Sequence, residues 1–296
     1  MINPKYSIII PHYNIPALLL RCLQSIPVCA DIQVIVIDDC SPKVETYQER
    51  FPEFFSRPYL EWYSTPYGGS AGRARNIGLQ HAKGKWILFV DADDYLVDGW
   101  VDIVEKYADS NFDVIHFKAE SVDSDTLEQS DRHKERNRSI DAYFAGDVTA
   151  REAAIWFTVI WSQMISRKYI EDNHIQFEEL PFAEDIMYTA KLACLTNNIL
   201  ITKEILYVVT TRKNGIHDAY ELSIEKYIIY NKTFLHYVRY VRSFGVNKAK
   251  PFMLKEIIKT YKKYGVRGSF AFSKMLIHEH ALFYGFGDYI ERKLKR

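Results

Sequence analysis

Short apolar runs alternating with helical segments constrain this chain most. The stretches "YSIIIP" (6–11), "QVIVIDD" (33–39), "LEWYST" (60–65), "WILFVD" (86–91) and "DVIHFK" (113–118) have strand length and are rich in β-branched and aromatic residues. Between them, residues 17–25, 70–82 and 98–108 carry helical spacing, the last with Asp98 as its expected cap and Val101, Val104 and Ala108 on one face. This alternation predicts an α/β fold, an α/β/α sandwich with a mostly parallel central sheet. Such sheets bind ligands beyond the carboxyl ends of their strands. Three polar or acidic clusters, "PHYN", "DDCS" and "DADD", stand at those ends.

Residues 119–148 are polar and lack apolar periodicity, so a surface excursion is expected there. Thr149 and Glu152 have the spacing of a capping box opening a helix through "AAIWF". Another helix is expected after Pro181, over 183–195, and "ILITK" and "LYVVTT" read as short strands. From Ser223 onward the pattern is that of helical hairpins. Tyr227, Tyr230, Phe234 and Val238 form one stripe; Leu254, Ile257, Ile258 and Tyr261 form another, opposite Lys255, Lys259, Lys262 and Lys263. The expected division is a ligand-binding and catalytic domain over 1–222 and a basic helical extension over 223–296.

With 296 residues, 48% of them hydrophobic, the chain can bury a sizeable core. No apolar run approaches the roughly 20 residues of a membrane span, and the first residues lack the regions of a signal peptide. Four scattered cysteines form no C-x-x-C pair, so a reducing cytoplasm is expected and a zinc site is not. The formal net charge of zero hides an asymmetry: residues 248–296 hold 12 basic and 4 acidic side chains, the remainder 26 and 34. Such a tail is either a solvated face or one drawn to an anionic surface.

In "DADD", side chains two apart project to the same side, so Asp91 and Asp93 can converge. Close carboxylates repel unless a cation compensates. Mg²⁺ or Mn²⁺ would suit them, since these ions accept one or two carboxylates and complete their shell with water and phosphate; otherwise one Asp caps the next helix and another faces water. "VIDDCSP" is either a turn or a carboxylate for a nucleobase N–H, with Tyr13 offering a stacking face. "YGGSAGRARNIG" fits neither a dinucleotide fingerprint nor a P-loop. It reads either as a glycine turn whose N–H groups meet phosphate or as a helix entry with a surface arginine. "PFAEDIMY" places Glu184 and Asp185 in a first helical turn. There they either complement the dipole or supply a general base that the dipole holds ionised at neutral pH.

Taken in order, "SIIIPHYN", "VIVIDDCSP", "GGSAGRARNIGLQHAKGKWILFVDADD" and "WSQMISRKYIEDNHIQFEELPFAEDIMYT" resemble glycosyltransferase family 2, inverting nucleotide-sugar transferases of the GT-A fold. The resemblance implies that Tyr13 stacks on the nucleobase, that Asp38 accepts its N–H and that Asp39 braces the same turn. Arg75 should lie near the nucleotide, Asp91 should meet the ribose, and Asp93, with Asp91, should hold the metal bridging the diphosphate. Pro11 and Ala92 count among the nucleotide-sugar-binding positions, while the role of Asp94 stays open. Asp185 is the implied catalytic base and Glu184 its acceptor-facing neighbour. His217 falls where some relatives place a late metal-contacting or loop histidine. Trp161 is either a sugar-stacking acceptor platform or a core residue.

The cofactor implied is Mn²⁺ or Mg²⁺. The donor is a UDP-hexose or UDP-N-acetylhexosamine, and the acceptor a glycan or lipid-linked oligosaccharide of lipopolysaccharide, capsule or other cell-surface polysaccharide. Without membrane helices or a Q-x-x-R-W element, single additions are expected rather than processive synthesis. The basic C-terminal helices would suit a peripheral place on the inner face of the plasma membrane, and no nucleic-acid partner is expected. Two alternatives stand beside this reading. A nucleotidyltransferase would need a Gly-rich loop that residues 1–20 do not contain; a non-catalytic nucleotide-sugar-binding protein would not need the late acidic pair.

Overall fold

The structure is a computed structural model that describes residues 4–212, 223–246 and 253–287. Apolar side chains on both faces of YSIIIPH and IQVIVID bury β1 (Tyr6–His12) and β2 (Ile32–Asp38) almost completely. They sit in one sheet with β3 (Leu60–Ser64), β4 (Trp86–Phe89), β5 (Tyr95–Leu96), β6 (Val114–Asp123), β7 (Gln163–Ser166) and β8 (Ile199–Thr211). The strand order is β3-β2-β1-β4-β7-β6-β8-β5. β1 runs parallel to both β2 and β4, with Tyr6 opposite Ile32 on one side and Trp86 on the other. The chain order therefore reverses at β1, and a crevice opens beyond the carboxyl ends of β1, β2 and β4. Past β4 the sheet becomes mixed, because β7 runs antiparallel to β4 and β6 while β6 and β8 are parallel.

The helices of this unit are α1 (Pro16–Gln24), α2 (Tyr47–Arg50), α3 (Glu53–Ser56), α4 (Ala71–His81), α5 (Trp100–Glu105), α6 (Lys134–Phe144), α7 (Ala150–Trp156), α8 (Arg167–Asp172) and α9 (Glu184–Cys194). α4 and α9 pack on the sheet through a core that includes Ile9, Ile37, Ala74, Phe89, Ile165 and Tyr188. Phe177 stacks on Tyr188 at 3.6 Å, pinning the segment before α9 to its second turn. Each such large side chain contributes about 1.5–3 kcal/mol when fully buried.

The capping box at α7 forms as its spacing predicts: Thr149 accepts from the Glu152 N–H, and the Glu152 carboxylate accepts from the Thr149 N–H. Three expectations need correction. α5 starts from Gly99, held at φ 72°, and Asp98 makes no cap; a left-handed entry favours glycine. The polar stretch 119–148 is not mere excursion, since β6 runs on to Asp123 and α6 follows. α6 buries only Ser139 and Ile140, too little for a visible apolar period. "ILITK" and "LYVVTT" are one strand, β8; its charged middle is tolerated because Glu204 accepts from Tyr107 and pairs with Lys106.

The chain divides into two compact units, the first ending at Arg212 and the second beginning at Lys213. The second holds α10 (Ile224–Ser243) and α11 (Met253–His278), the latter kinked at Gly265. Their core joins Leu235, Met253, Phe272, Leu276 and Ala281. The expected α11 stripe is rotated: Ile258 and Tyr261 are 58% and 56% exposed, while Met253, Thr260, Phe272 and Leu276 are buried. The four cysteines are free. Among the described residues no helix is long and apolar enough to cross a membrane.

Candidate active site

The crevice is built on the turn after β4. Asp94 is buried and locks this turn to β8: its carboxylate accepts from the Tyr207 hydroxyl at 2.9 Å and from the Thr210 N–H at 2.7 Å. The same Tyr207 oxygen accepts from the Asp91 N–H, and the Asp93 carbonyl accepts from Arg21 and Thr210. Burial, with Asp93 and Asp91 close by, pushes the Asp94 carboxyl well up from its ordinary value. Asp94 thus holds the turn that aims its two neighbours, and Ala92 is buried between them.

Asp91 and Asp93 keep partly exposed carboxylates, 29% and 23% accessible. Burial and the charge of Asp91 raise the Asp93 carboxyl, while Arg212, donating to it at 2.9 Å, draws it back down. Among the described residues no group of three or more His, Cys, Asp or Glu side chains is placed to hold a metal ion. Two partly exposed hard carboxylates on one turn, each paired with an arginine, nonetheless have the chemistry for Mg²⁺ or Mn²⁺, which take the rest of their shell from phosphate and water. His217 lies outside the described residues.

Arg75 is the buried centre of the site. One terminal nitrogen donates to Asp91 at 2.8 Å and the other to Glu184 at 2.6 Å, with the guanidinium over the Phe177 ring. Burial works against its charge, but Asp91 and Glu184 outweigh that and raise its pKa. One expectation changes accordingly. Glu184 turns inward to Arg75 instead of facing an acceptor, and Arg75 pairs with both carboxylates. Gly72 lets α4 come this close to α9, because a Cβ there would lie 2.3 Å from the Glu178 carbonyl oxygen and 3.1 Å from Glu184 Cγ.

Asp185, the next residue on α9, is half-buried, and its carboxylate accepts no hydrogen bond among the described residues. Burial and the Glu184 carboxylate raise its pKa to about 7, against the opposing pull of Arg75 and Arg136. The expectation that the helix dipole keeps it ionised at neutral pH is therefore corrected. A dipole contributes about 0.3–1 kcal/mol at such a position, less than burial beside a like charge costs.

On the other side of the crevice, Tyr13 is 57% exposed beyond Pro11 and can receive a ring on its face. Asp38 cannot reach a nucleobase in this arrangement. Its side chain is fully buried, accepting from His12 Nδ1 at 2.9 Å and from the Ser41 N–H at 2.8 Å. Burial pushes that carboxyl up, but these donors outweigh it and hold it below the usual range. His12 keeps its other ring nitrogen as acceptor for the Ile15 N–H, so its tautomer is set. Asp39 braces the glycine turn from across the crevice, accepting from Gly69 N–H, Ser70 N–H and Thr65 Oγ1. Gly69 adopts φ 98° to deliver its N–H. The anion at the start of α4 is therefore a carboxylate of this chain; the expected phosphate contact at these N–H groups is already taken.

Trp161 proves to be a core residue, 6% exposed and stacked on Tyr207 at 5.4 Å. The pattern "DADD" pointed to the carboxylate turn, but nothing local announced Tyr207, Thr210 and Arg212 as its partners, or His12 as the partner of Asp38. Their signal lies in pairing between distant strands.

The family described as Glycosyl transferase family 2 matches residues 7–173. The poly(ribitol-phosphate) β-N-acetylglucosaminyltransferase TarS of Staphylococcus aureus is 30% identical over 224 residues, 72% of this chain and 36% of that protein. The chain thus spans little more than a third of that relative's length. The crystal structure of S. aureus TarS 1–349 with UDP-GlcNAc superposes with a TM-score of 0.58 at 22% identity, over 81% of this chain and 73% of that one. The mannosyltransferase PcManGT of Pyrobaculum calidifontis, solved with GDP-Man and Mn²⁺, gives 0.56 at 18% identity, over 95% and 76%. Both share the α/β fold.

Proposed function

Because the chain belongs to glycosyl transferase family 2, we propose that it moves a sugar, with inversion, from a nucleotide sugar to a hydroxyl of a cell-surface glycan or glycolipid. The observation that carries this is the Arg75 bridge. One guanidinium at 2.8 Å from Asp91 and 2.6 Å from Glu184 ties the carboxylate turn to the helix that carries Asp185, so both ends of a displacement share one crevice. A protein that only bound nucleotide sugars would have no use for a second carboxyl poised at about 7. UDP is favoured as the nucleotide by the S. aureus relative solved with UDP-GlcNAc.

The acceptor hydroxyl attacks the anomeric carbon from the face opposite the diphosphate. As the new C–O bond forms, Asp185 takes the hydroxyl proton, and the bond to the diphosphate oxygen breaks with its electron pair leaving on that oxygen. Mn²⁺ or Mg²⁺, held by Asp93 and Asp91, would supply Lewis-acid stabilisation of the departing charge. Arg212 adds a fixed cation on the same side, and Asp94, through Tyr207 and Thr210, keeps the turn from relaxing. Tyr13 offers the nucleobase a stacking face.

Asp93→Ala is expected to remove the metal-dependent part of UDP affinity while a weak metal-independent part stays. Calorimetric titration of UDP with and without Mn²⁺ reads this, and an unchanged metal dependence would refute the assignment.

For the second unit the reading is an anionic lipid surface. After the kink at Gly265, Val266, Phe270 and Ile277 lie exposed on one face of α11, flanked by Arg267 and Lys274, with Lys255, Lys259, Lys262 and Lys263 on the preceding turns. Each basic residue near such a surface is worth about 1 kcal/mol. Flotation with phosphatidylglycerol-containing vesicles should recover the protein at low salt and release it at high salt. Equal recovery with neutral phosphatidylcholine vesicles would count against a charge-driven contact.

A further inference from the structure

Each aspartate proposed to hold the metal has an arginine of its own. Arg75 donates to Asp91 at 2.8 Å, and Arg212 donates to Asp93 at 2.9 Å. A divalent ion between the two aspartates would meet a guanidinium charge at each, and like charges that close repel strongly. The two arginines are not equally tied. Arg75 has only 6% of its side chain exposed, lies over the Phe177 ring and is shared with Glu184 at 2.6 Å. Arg212 is 29% exposed, and among the described residues Asp93 is its one ion-pair partner. A single, partly exposed pair costs little to break, whereas a buried and shared one costs much. We infer that Arg212 is an exchangeable counter-ion, which yields Asp93 to Mn²⁺ or Mg²⁺ and turns to the diphosphate of the nucleotide, so that metal and nucleoside diphosphate bind as one unit. This rests on the transferase reading above.

The fold lets this side chain turn while keeping it at the site. Arg212 follows directly on a pinned strand end. Thr210 donates through its N–H to Asp94 and through its hydroxyl to the Asp93 carbonyl, and Arg132 donates to the Thr210 carbonyl at 2.6 Å. The Thr211 carbonyl accepts from the Ser124 N–H. Only the Arg212 side chain has to move, and its charge stays beside the carboxylate turn. Charge also couples the two ligands. In the ion-paired cluster three carboxylates, Asp91, Asp93 and Glu184, share two guanidinium groups. One surplus negative charge offers a divalent ion little, and Arg212, once displaced, needs another anion. A diphosphate supplies that anion and bridges to the ion, so each ligand favours the other to the same degree.

Calorimetry on the full chain reads Mn²⁺ alone, then UDP and UMP in the presence of Mn²⁺, for the wild type and Arg212→Gln. The expected signature has opposite signs. Arg212→Gln should bind Mn²⁺ alone about tenfold more tightly, because Asp93 is released from a charged hydrogen bond. It should bind UDP with Mn²⁺ about tenfold more weakly, while UMP, which lacks the second phosphate, changes by less than about twofold. Thermal unfolding checks that the variant folds, and Arg212→Lys, which keeps the charge, should lie between the two on both readings. Unchanged or weaker binding of Mn²⁺ alone, unchanged binding of UDP, or an equal loss on UMP would each overturn the exchange. The wild type titrated with UDP, with and without Mn²⁺, separates the levels. If its UDP binding depends on Mn²⁺ and the variant gives any of those results, the exchange alone is lost. UDP binding indifferent to Mn²⁺ takes the metal from the turn and the exchange with it, and no UDP binding at all takes the transferase reading as well.

Discussion

Asp185→Asn is expected to slow sugar transfer by about 10²–10⁴-fold, the range for loss of a general base, and to make the protein more stable above neutral pH. Both effects come from one environment. The native Asp185 carboxyl is raised to about 7 from its ordinary 3.8 by burial and by Glu184, with Asp91 adding to the rise and Arg75 and Arg136 opposing it. Between those two values the native state keeps a proton that the unfolded chain releases. Wild-type stability therefore falls as pH rises from about 4 through about 7, and the asparagine variant escapes that loss. Thermal unfolding should put the variant above the wild type at pH 8 and bring the two together near pH 4. In the wild type, kcat/KM should climb through about pH 7, since this quantity reports the free enzyme and the base must be deprotonated to act. Near-normal transfer by Asp185→Asn, with unaltered nucleotide affinity, would take the base role away from this residue.

Arg75→Met should cost about 3–5 kcal/mol of folding stability, the usual result of removing one partner from a buried ionic cluster. The loss is large because two carboxylates, Asp91 and Glu184, are left facing each other without their shared cation in a site where Arg75 is 5% exposed. Arg75→Lys should recover only part of it, since an ammonium lacks the planar fork that reaches both acids. Combining Arg75→Met with Glu184→Gln should be less harmful than the sum of the two, because the second change removes one of the stranded charges. Urea unfolding of the four proteins measures this cycle. A loss below about 1 kcal/mol, the level of an exposed pair, would mean that the bridge does not hold the site together.

The carboxylate turn and the helix that carries Asp185 were legible one-dimensionally because each is local. Asp91 and Asp93 follow an apolar strand that can only be buried, and Glu184 and Asp185 open a segment with helical spacing. The paired aspartates at the end of β2 were less legible for the same reason. Sequence places Asp38 and Asp39 at a strand end, but not which atoms of other strands meet them. His12 comes from β1 to take Asp38, and Gly69 with Ser70 comes from the following turn to take Asp39. Two tryptophans five positions apart, Trp156 and Trp161, are equivalent in composition, and only the packing of Tyr207 against one leaves the other exposed.

Residue order alone was enough for the strand-and-helix alternation, the crevice beyond β1, β2 and β4, and the acidic turn at its edge. These follow from periodicity and from the high cost of burying charge in a strand, both readable over a few residues. Tertiary structure decided where each charge is aimed: Asp94, Asp38 and Asp39 inward as braces, Asp91 and Asp93 toward the crevice, and Glu184 onto Arg75. The reason is that a buried carboxylate must find its donors wherever the fold brings them, here as far away as Thr210 for Asp94 and Arg75 for Glu184.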